Sequence, residues 1–140
     1  IIKKINSERN LDIFFFSLVY FSNNNFTNIK RYYSSINFKK WMLNIGLIPP
    51  HPASIIKKSI YDKYGLYKKS YKIAGDFELI ARILTQQKIK TGHISRILVK
   101  MQLGGISTSS WTTRMITNQE ILRACAENGI KTNVFKIWLG

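Results

Sequence analysis

Residues 11–21 constrain the fold of this chain more than any other stretch, because they are almost wholly apolar and yet few. Only Asp12 and Ser17 interrupt the run. A helix that crosses a bilayer needs about 20 apolar residues, so this stretch is too short to span a membrane. Its enrichment in Phe, Val and Tyr instead predicts a buried β-strand over residues 12–21. With 140 residues, 45% of them hydrophobic, the chain is long enough for one small domain with a core.

Strands and helices are predicted to alternate along the rest of the chain, which indicates the α/β class. Strands are predicted at residues 28–33, 53–56 and 94–103, and helices at residues 38–45, 59–64, 76–87 and 113–127. Glycines are expected to end three of these helices, at Gly46, Gly65 and Gly129. Ser110 or Thr112 is expected to cap the last helix. The prolines of residues 49–52 are expected to impose an extended path.

The charge balance is strongly positive, with 22 Lys and Arg against 7 acids and a net charge of +15. Such a field attracts nucleic acids, anionic lipid headgroups and phosphorylated substrates. A compositional bias toward Ile, Asn and Lys explains it equally well. The basic residues are spread along the chain, and no zinc-finger spacing or RNP-like motif accompanies them, so we predict no nucleic-acid partner.

The single cysteine, Cys125, excludes an internal disulfide and fits a reducing compartment. It lies between Ala124 and Ala126 on a predicted helix, so it is expected to be a small packing residue. Residues 1–10 are polar and show no apolar signal-peptide region, so a cytoplasmic location is expected.

Asp76 and Glu78 stand two residues apart at the start of a predicted helix, in a chain with only 7 acids. Carboxylates in a first helical turn are stabilised by free N–H groups and the helix dipole, by about 0.3–1 kcal/mol each. Spacing alone therefore favours a capping role. A carboxylate held there beside a proline-rich loop also suits a general base, which contributes about 10²–10⁴ in rate. The residues by themselves leave both roles open.

His51 lies between Pro50 and Pro52, which fix its backbone and the direction of its ring. A lone histidine is more often structural than functional. His93, beside Gly92, is expected to be solvated in a turn. Neither histidine has a second His, Cys or carboxylate at a ligand interval, so no metal site is predicted in this chain.

Several motifs occur in one order at matched intervals. They are residues 49–52 (PPHP), 58–67 (KSIYDKYGLY), 70–79 (SYKIAGDFEL), 98–101 (LVKM) and 103–107 (LGGIS). In this combination the chain resembles the bacterial family 2 glycosyltransferases of GT-A type, which assemble capsule, O-antigen and exopolysaccharide. The similarity extends over roughly residues 29–137.

The resemblance implies a partial, Rossmann-like GT-A fold: the C-terminal half of its mixed sheet plus C-terminal helices. Residues 1–105 would belong to the glycosyltransferase domain, and residues 106–140 would form a helical extension. The implied activity is transfer of a sugar, with inversion, from a nucleotide-sugar donor to a hydroxyl of a saccharide or lipid-linked acceptor. In that family the motif around Asp76 supplies the catalytic base. Glu78 would support it through a hydrogen bond to the acceptor or to a nearby basic residue.

Four further residues are expected at the substrate site by the same resemblance. Pro50 and His51 resemble a loop near the floor of the family's active site. Gly104 and Gly105 resemble the segment leading to a flexible C-terminal part that folds over the donor. Mg²⁺ or Mn²⁺ is expected for the full-length enzyme, where it would neutralise the leaving diphosphate, whereas this chain alone is expected to bind none.

The chain also departs from the family pattern. The Gly-rich nucleotide-binding half and its Asp-rich motif are missing, and residues 1–10 look like the helix that follows them. Phe16-Ser17 stands where relatives often have Gly-Asp, and Gln102 stands where they often have Arg. These residues alone are therefore expected to be inactive.

Two other hypotheses remain open. In the first, the chain is a basic module that binds nucleic acid or an anionic membrane. In the second, it is an inactive truncated remnant. Residues 134–139, with Lys131 and Lys136, look like the start of a basic amphipathic segment, although an ordinary packed helix end fits as well. If residues 134–139 begin such an amphipathic segment, an anionic membrane surface at the inner face of the cell membrane is a further expected partner. A catalytic origin predicts Asp76 in a cleft beside His51, whereas a binding module predicts a continuous basic face.

Overall fold

The structure is a computed structural model, and it describes residue 7 and residues 10–22, 25–103 and 111–139. Its strands are β1 (Ile13–Ser22), β2 (Asn25–Tyr33), β3 (Ser54–Ile56) and β4 (Thr91–Gln102). Its α-helices are α1 (Lys58–Tyr64), α2 (Gly75–Leu84), α3 (Trp111–Glu127) and α4 (Val134–Leu139). Two short 3-10 helices cover Lys40–Ile45 and His51–Ala53. The predicted alternation of strands and helices is confirmed.

β1 is the central strand of a four-stranded open sheet. β4 runs parallel to it along one edge, from the pair Ile13–Thr91 to the pair Phe21–Gln102. The other edge is shared by two antiparallel strands, β3 beside the start of β1 and β2 beside its end. The sheet is therefore mixed, and the α/β class is confirmed at this level. The finer GT-A assignment remains a hypothesis.

Both faces of β1 are buried. Ile13 and Phe15 lie on one face, in a core formed with the apolar side of α2. Phe14 and Phe16 lie on the other face, in a second cluster that includes Ala53. Neighbouring residues of a strand point to opposite faces, so a strand without a polar face must be covered on both sides. The buried strand predicted from the aromatic run is thus confirmed.

Helix ends follow the glycines where a left-handed backbone is needed. Gly46 ends the first 3-10 helix at φ +77° and Gly65 ends α1 at φ +86°. A residue with a side chain is strained at such positive φ angles, so glycine is favoured there. One boundary prediction was wrong, because α2 ends at Leu84 and not at residue 87. Of the two expected caps of α3, Thr112 lies inside the helix, and Ser110 lies outside the described residues.

The prolines of residues 49–52 do not impose an extended path, because His51–Ala53 form a 3-10 helix. Pro50 precedes this turn and Pro52 lies in its first positions, where a helix needs no backbone N–H donor. The Ala53 N–H donates to the Pro50 carbonyl at 3.1 Å, and the Ser54 hydroxyl donates to the His51 carbonyl at 2.7 Å. Proline excludes the interior of a helix but not its start, so the prediction was wrong.

The C-terminal helices pack onto the same core. α3 contacts α2 and contributes Ala124 and Cys125, both fully buried, so Cys125 is the packing residue that was predicted. The proposed division after residue 105 remains a prediction. In the described part of the chain, no helix combines the length and the apolar character needed to cross a membrane. Gly104, Gly105 and most of residues 1–10 lie outside the described residues.

Candidate active site

Asp76 stands in the first turn of α2 with its side chain exposed to solvent. One carboxylate oxygen, Oδ1, accepts a hydrogen bond from the N–H of Phe77 at 2.7 Å. The N-cap position of the helix belongs to Ala74, which makes no side-chain cap bond. Asp76 therefore stabilises the first turn without being its cap, and it is exposed to solvent.

Glu120, from α3, binds the turn that leads into α2. Its carboxylate accepts hydrogen bonds from the N–H groups of Lys72, Ile73 and Ala74 at 2.7, 2.9 and 2.8 Å. Burial raises the pKa of this carboxyl, but the three backbone donors outweigh burial and hold it below the usual 4.5. Glu120 thus does from a distant helix what a capping residue does locally, and it fixes the backbone just before Asp76. No pattern in the sequence pointed to this residue.

His51 is half-buried and pairs with Tyr67, which follows α1. The Tyr67 hydroxyl lies 2.5 Å from Nε2 of His51, and the two rings meet edge to face at 5.8 Å. Burial lowers the pKa of His51 and raises the pKa of Tyr67. Both shifts favour the neutral forms, and the tautomer of the ring decides which of the two groups donates the hydrogen bond.

The negative charge of Asp76 reaches this pair. Burial lowers the pKa of His51, and the charge of Asp76 opposes this shift. Burial is the largest cause of the raised pKa values of Tyr67 and Tyr33, and the charge of Asp76 also raises them. Tyr33, at the end of β2, donates its hydroxyl to the carbonyl of Ile48 at 2.5 Å. Groups from three other parts of the chain are thus affected by the charge of this one exposed carboxylate. Of these residues, the sequence singled out Asp76 and His51 but neither tyrosine.

This electrostatic effect predicts a measurable coupling between Asp76 and His51. We expect the His51 pKa to lie below 6.5 and to fall further in Asp76→Asn, because the amide removes a charge that favours the protonated ring. Since the folded pKa lies below the unfolded one, the unfolded chain binds the proton first, so the free energy of unfolding decreases as pH falls through about 6.5. NMR titration of the ring protons measures the shift. Asp62→Asn, on α1, is the matched control, and an unchanged His51 pKa in Asp76→Asn contradicts the coupling.

Glu78 follows Asp76 by two residues in α2 and is fully buried. Its carboxylate binds Nε of Arg82 at 3.0 Å and Nη2 of Arg82 at 3.1 Å, and it binds Nζ of Lys68 at 2.8 Å. Burial raises the pKa of Glu78, but these two cations outweigh burial and leave it lowered. The Glu78 carboxylate is therefore paired with basic residues. A bond to a basic residue is one of the two contacts that the resemblance implies for Glu78, and its support of catalysis stays a prediction.

Arg82 carries this contact to the loop after α1. Its guanidinium donates to the carbonyls of Tyr64, Gly65 and Leu66, the last at 2.8 Å. Lys68, just beyond, also binds Glu127 of α3 at 2.7 Å. Residues on both sides of Tyr67 are thus held by Glu78 and its partners, and Tyr67 is placed against His51. Arg82 and Lys68 were not among the predicted site residues.

The remaining predicted residues are placed as follows. Pro50 is fully buried and supports the turn that carries His51. Gly104 and Gly105 lie outside the described residues. His93 is not in a solvated turn: it lies in β4, half-buried, with its ring stacked on Phe15 at 5.4 Å between centroids. β4 begins earlier than predicted, at Thr91, and this draws His93 into the sheet.

Within the described ranges, no three His, Cys, Asp or Glu side chains converge in a way that could hold a metal ion. No protein-family model matches the chain, and no curated protein sequence matches it either. Support for an activity therefore comes from Asp76 with the groups that its charge affects, and from the motifs that carry the resemblance.

Proposed function

We propose that this chain provides the acceptor-facing part of an inverting glycosyltransferase, with Asp76 as the general base. The observation that carries the proposal is the exposed carboxylate of Asp76 in the first turn of α2, whose charge acts on groups from separate segments: His51, Tyr67 and Tyr33. A helix cap needs none of them. A base needs an outward-facing oxygen and neighbouring hydrogen-bonding groups that orient the hydroxyl to be deprotonated.

The proposed reaction is a single displacement. The acceptor hydroxyl attacks the anomeric carbon of the donor sugar while its proton passes to the carboxylate of Asp76. The bond between that carbon and the nucleoside diphosphate breaks, the diphosphate leaves with the electron pair, and the configuration at the carbon inverts. The neutral Tyr67–His51 pair can donate to or accept from other hydroxyls of the acceptor, which suits a saccharide.

The donor, a nucleotide sugar, and the saccharide or lipid-linked acceptor are part of this proposal. When bound, Mg²⁺ or Mn²⁺ would neutralise charge on the leaving diphosphate in such enzymes. The described residues do not fit that role, since they offer no cluster of metal-ligating side chains. No step assigned here to Asp76, His51 or Tyr67 depends on the metal.

Replacing Asp76 by asparagine tests the proposal. We expect transfer by the complete gene product to fall by about 10²–10⁴, because the amide cannot take the acceptor proton. Binding of the nucleotide-sugar donor should stay unchanged, because the carboxylate faces the acceptor. Turnover is measured with a panel of radiolabelled nucleotide sugars and a membrane extract as the acceptor source, and donor binding by calorimetry.

Asp62→Asn is the control, because Asp62 is exposed on α1 and forms only an exposed ion pair with Lys58. It should retain full activity. Transfer by Asp76→Asn within tenfold of the unsubstituted protein, or no transfer by the unsubstituted protein from any donor, would contradict the proposal. A different surface, formed by the start of α3 and by α4, favours the basic-module hypothesis.

A further inference from the structure

A second surface lies away from Asp76, where the start of α3 meets α4. Its large apolar side chains form what we call the aromatic patch: Trp111, Met115, Val134, Phe135 and Trp138. The rings of Trp111 and Trp138 lie 5.6 Å apart and join the two helices. Met115 stands one turn after Trp111, and Val134 one turn before Trp138, so the patch is continuous.

The patch is open to solvent. Phe135 is 81% exposed, Trp111 66% and Val134 52%, although Ile137, also in α4, is buried in the core. α4 therefore has one apolar face that packs and another that does not. Leaving a phenylalanine and a tryptophan side by side in water forgoes the free energy of their burial. Such a face indicates a partner.

The charges around the patch are of one sign. Arg114 lies over the Trp138 ring at 5.9 Å, and Lys131 and Lys136 are exposed beside α4. The two acids of this part of the described chain are occupied elsewhere, because Glu120 is buried against backbone N–H groups and Glu127 binds Lys68. The rim of the aromatic patch is thus positive.

We propose that the aromatic patch docks on an anionic lipid bilayer, with Phe135 and Trp111 inserted at the headgroup boundary and the basic rim facing the lipid phosphates. Exposed aromatic side chains bordered by Lys and Arg suit the interface of a membrane. A second copy of the chain fits less well, because a twofold interface through the patch brings each basic rim against its like. The net charge of +15 adds long-range attraction to such a surface.

Vesicle co-sedimentation tests the docking, with this chain and vesicles of phosphatidylglycerol mixed with phosphatidylcholine. Phe135→Ala should weaken binding by about tenfold through lost insertion. Lys131→Ala with Lys136→Ala should weaken it by about 25-fold, at roughly 1 kcal/mol for each lysine near an anionic surface. Vesicles of phosphatidylcholine alone should bind weakly. Tryptophan emission should shift to shorter wavelength only with the anionic vesicles.

Matched controls separate docking from the general positive field. Lys88→Ala with Lys90→Ala removes the same charge from a loop outside the patch, and Leu66→Ala removes an apolar side chain outside it that is 69% exposed. Both should bind within about threefold of the unsubstituted chain. Circular dichroism confirms folding of each variant. Equal weakening by the lysine control, no effect of Phe135→Ala, or a stable dimer in place of vesicle binding would overturn the proposal. None of these outcomes depends on glycosyl transfer.

Discussion

Replacing Glu120 by alanine is expected to lower the free energy of unfolding by about 3 kcal/mol. Its carboxylate accepts from the N–H groups of Lys72, Ile73 and Ala74, and hydrogen bonds to a charged group contribute about 1.5–3 kcal/mol each. The full sum is not expected, because water can enter the space beside Gln119 and satisfy part of the turn. Chemical denaturation at pH 7 measures the loss.

The pH dependence of this loss identifies its cause. The folded pKa of Glu120 is below 4.5, so its contribution is present above that pH and disappears as pH falls through the folded value. The difference between Glu120→Ala and the unsubstituted chain should therefore shrink in acid. Gln119→Ala, the exposed neighbour on α3, should change stability by less than about 0.5 kcal/mol. A loss under 1 kcal/mol for Glu120→Ala would contradict the capping role.

Replacing Glu78 by alanine is expected to destabilise the fold by about 3–5 kcal/mol, the usual result of removing one partner from a buried ion pair. The substitution leaves the Arg82 side chain, which is only 15% exposed, without its carboxylate. Lys68 keeps its bond to Glu127 and is affected less. Thermal and denaturant unfolding give the magnitude.

Two further variants make the Glu78 prediction specific. Asp62→Ala breaks the exposed pair with Lys58, also at a spacing of four residues, and should change stability by no more than about 0.5 kcal/mol. Glu78→Leu combined with Arg82→Met should recover part of the loss, since an apolar pair leaves no buried charge. Equal effects of Asp62→Ala and Glu78→Ala would show that burial does not strengthen this pair.

The elements that the sequence predicted are those with local causes. The aromatic run gave a doubly buried β1, Gly46 and Gly65 ended helices where a positive φ is needed, and the apolar spacing after Asp76 placed α2. The mistakes also have local causes. The prolines around His51 predicted an extended path, but proline fits the first positions of a helix and a 3-10 turn forms there.

The contacts that build the candidate site were beyond local reasoning. Glu120 meets its backbone partners across about 46–48 residues of chain, and Tyr67 meets His51 across 16. Propensity and periodicity report only on neighbours within a turn or two, so they are silent on such pairs. The sequence singled out Asp76 and His51 separately, but the effect of the Asp76 charge on His51 arises only in the folded chain.

The parallel pairing of β1 with β4 has a consequence for the order in which the chain acquires its fold. Ile13 meets Thr91, so β1 leaves the ribosome long before its partner is made. At synthesis rates of about 5–20 residues per second, its phenylalanine-rich edge waits several seconds with only β2 and then β3 beside it. Non-local pairing of this kind also slows folding. Nascent chains are therefore expected to need chaperone protection until residue 102 has emerged, a demand set by topology and independent of what the finished protein does.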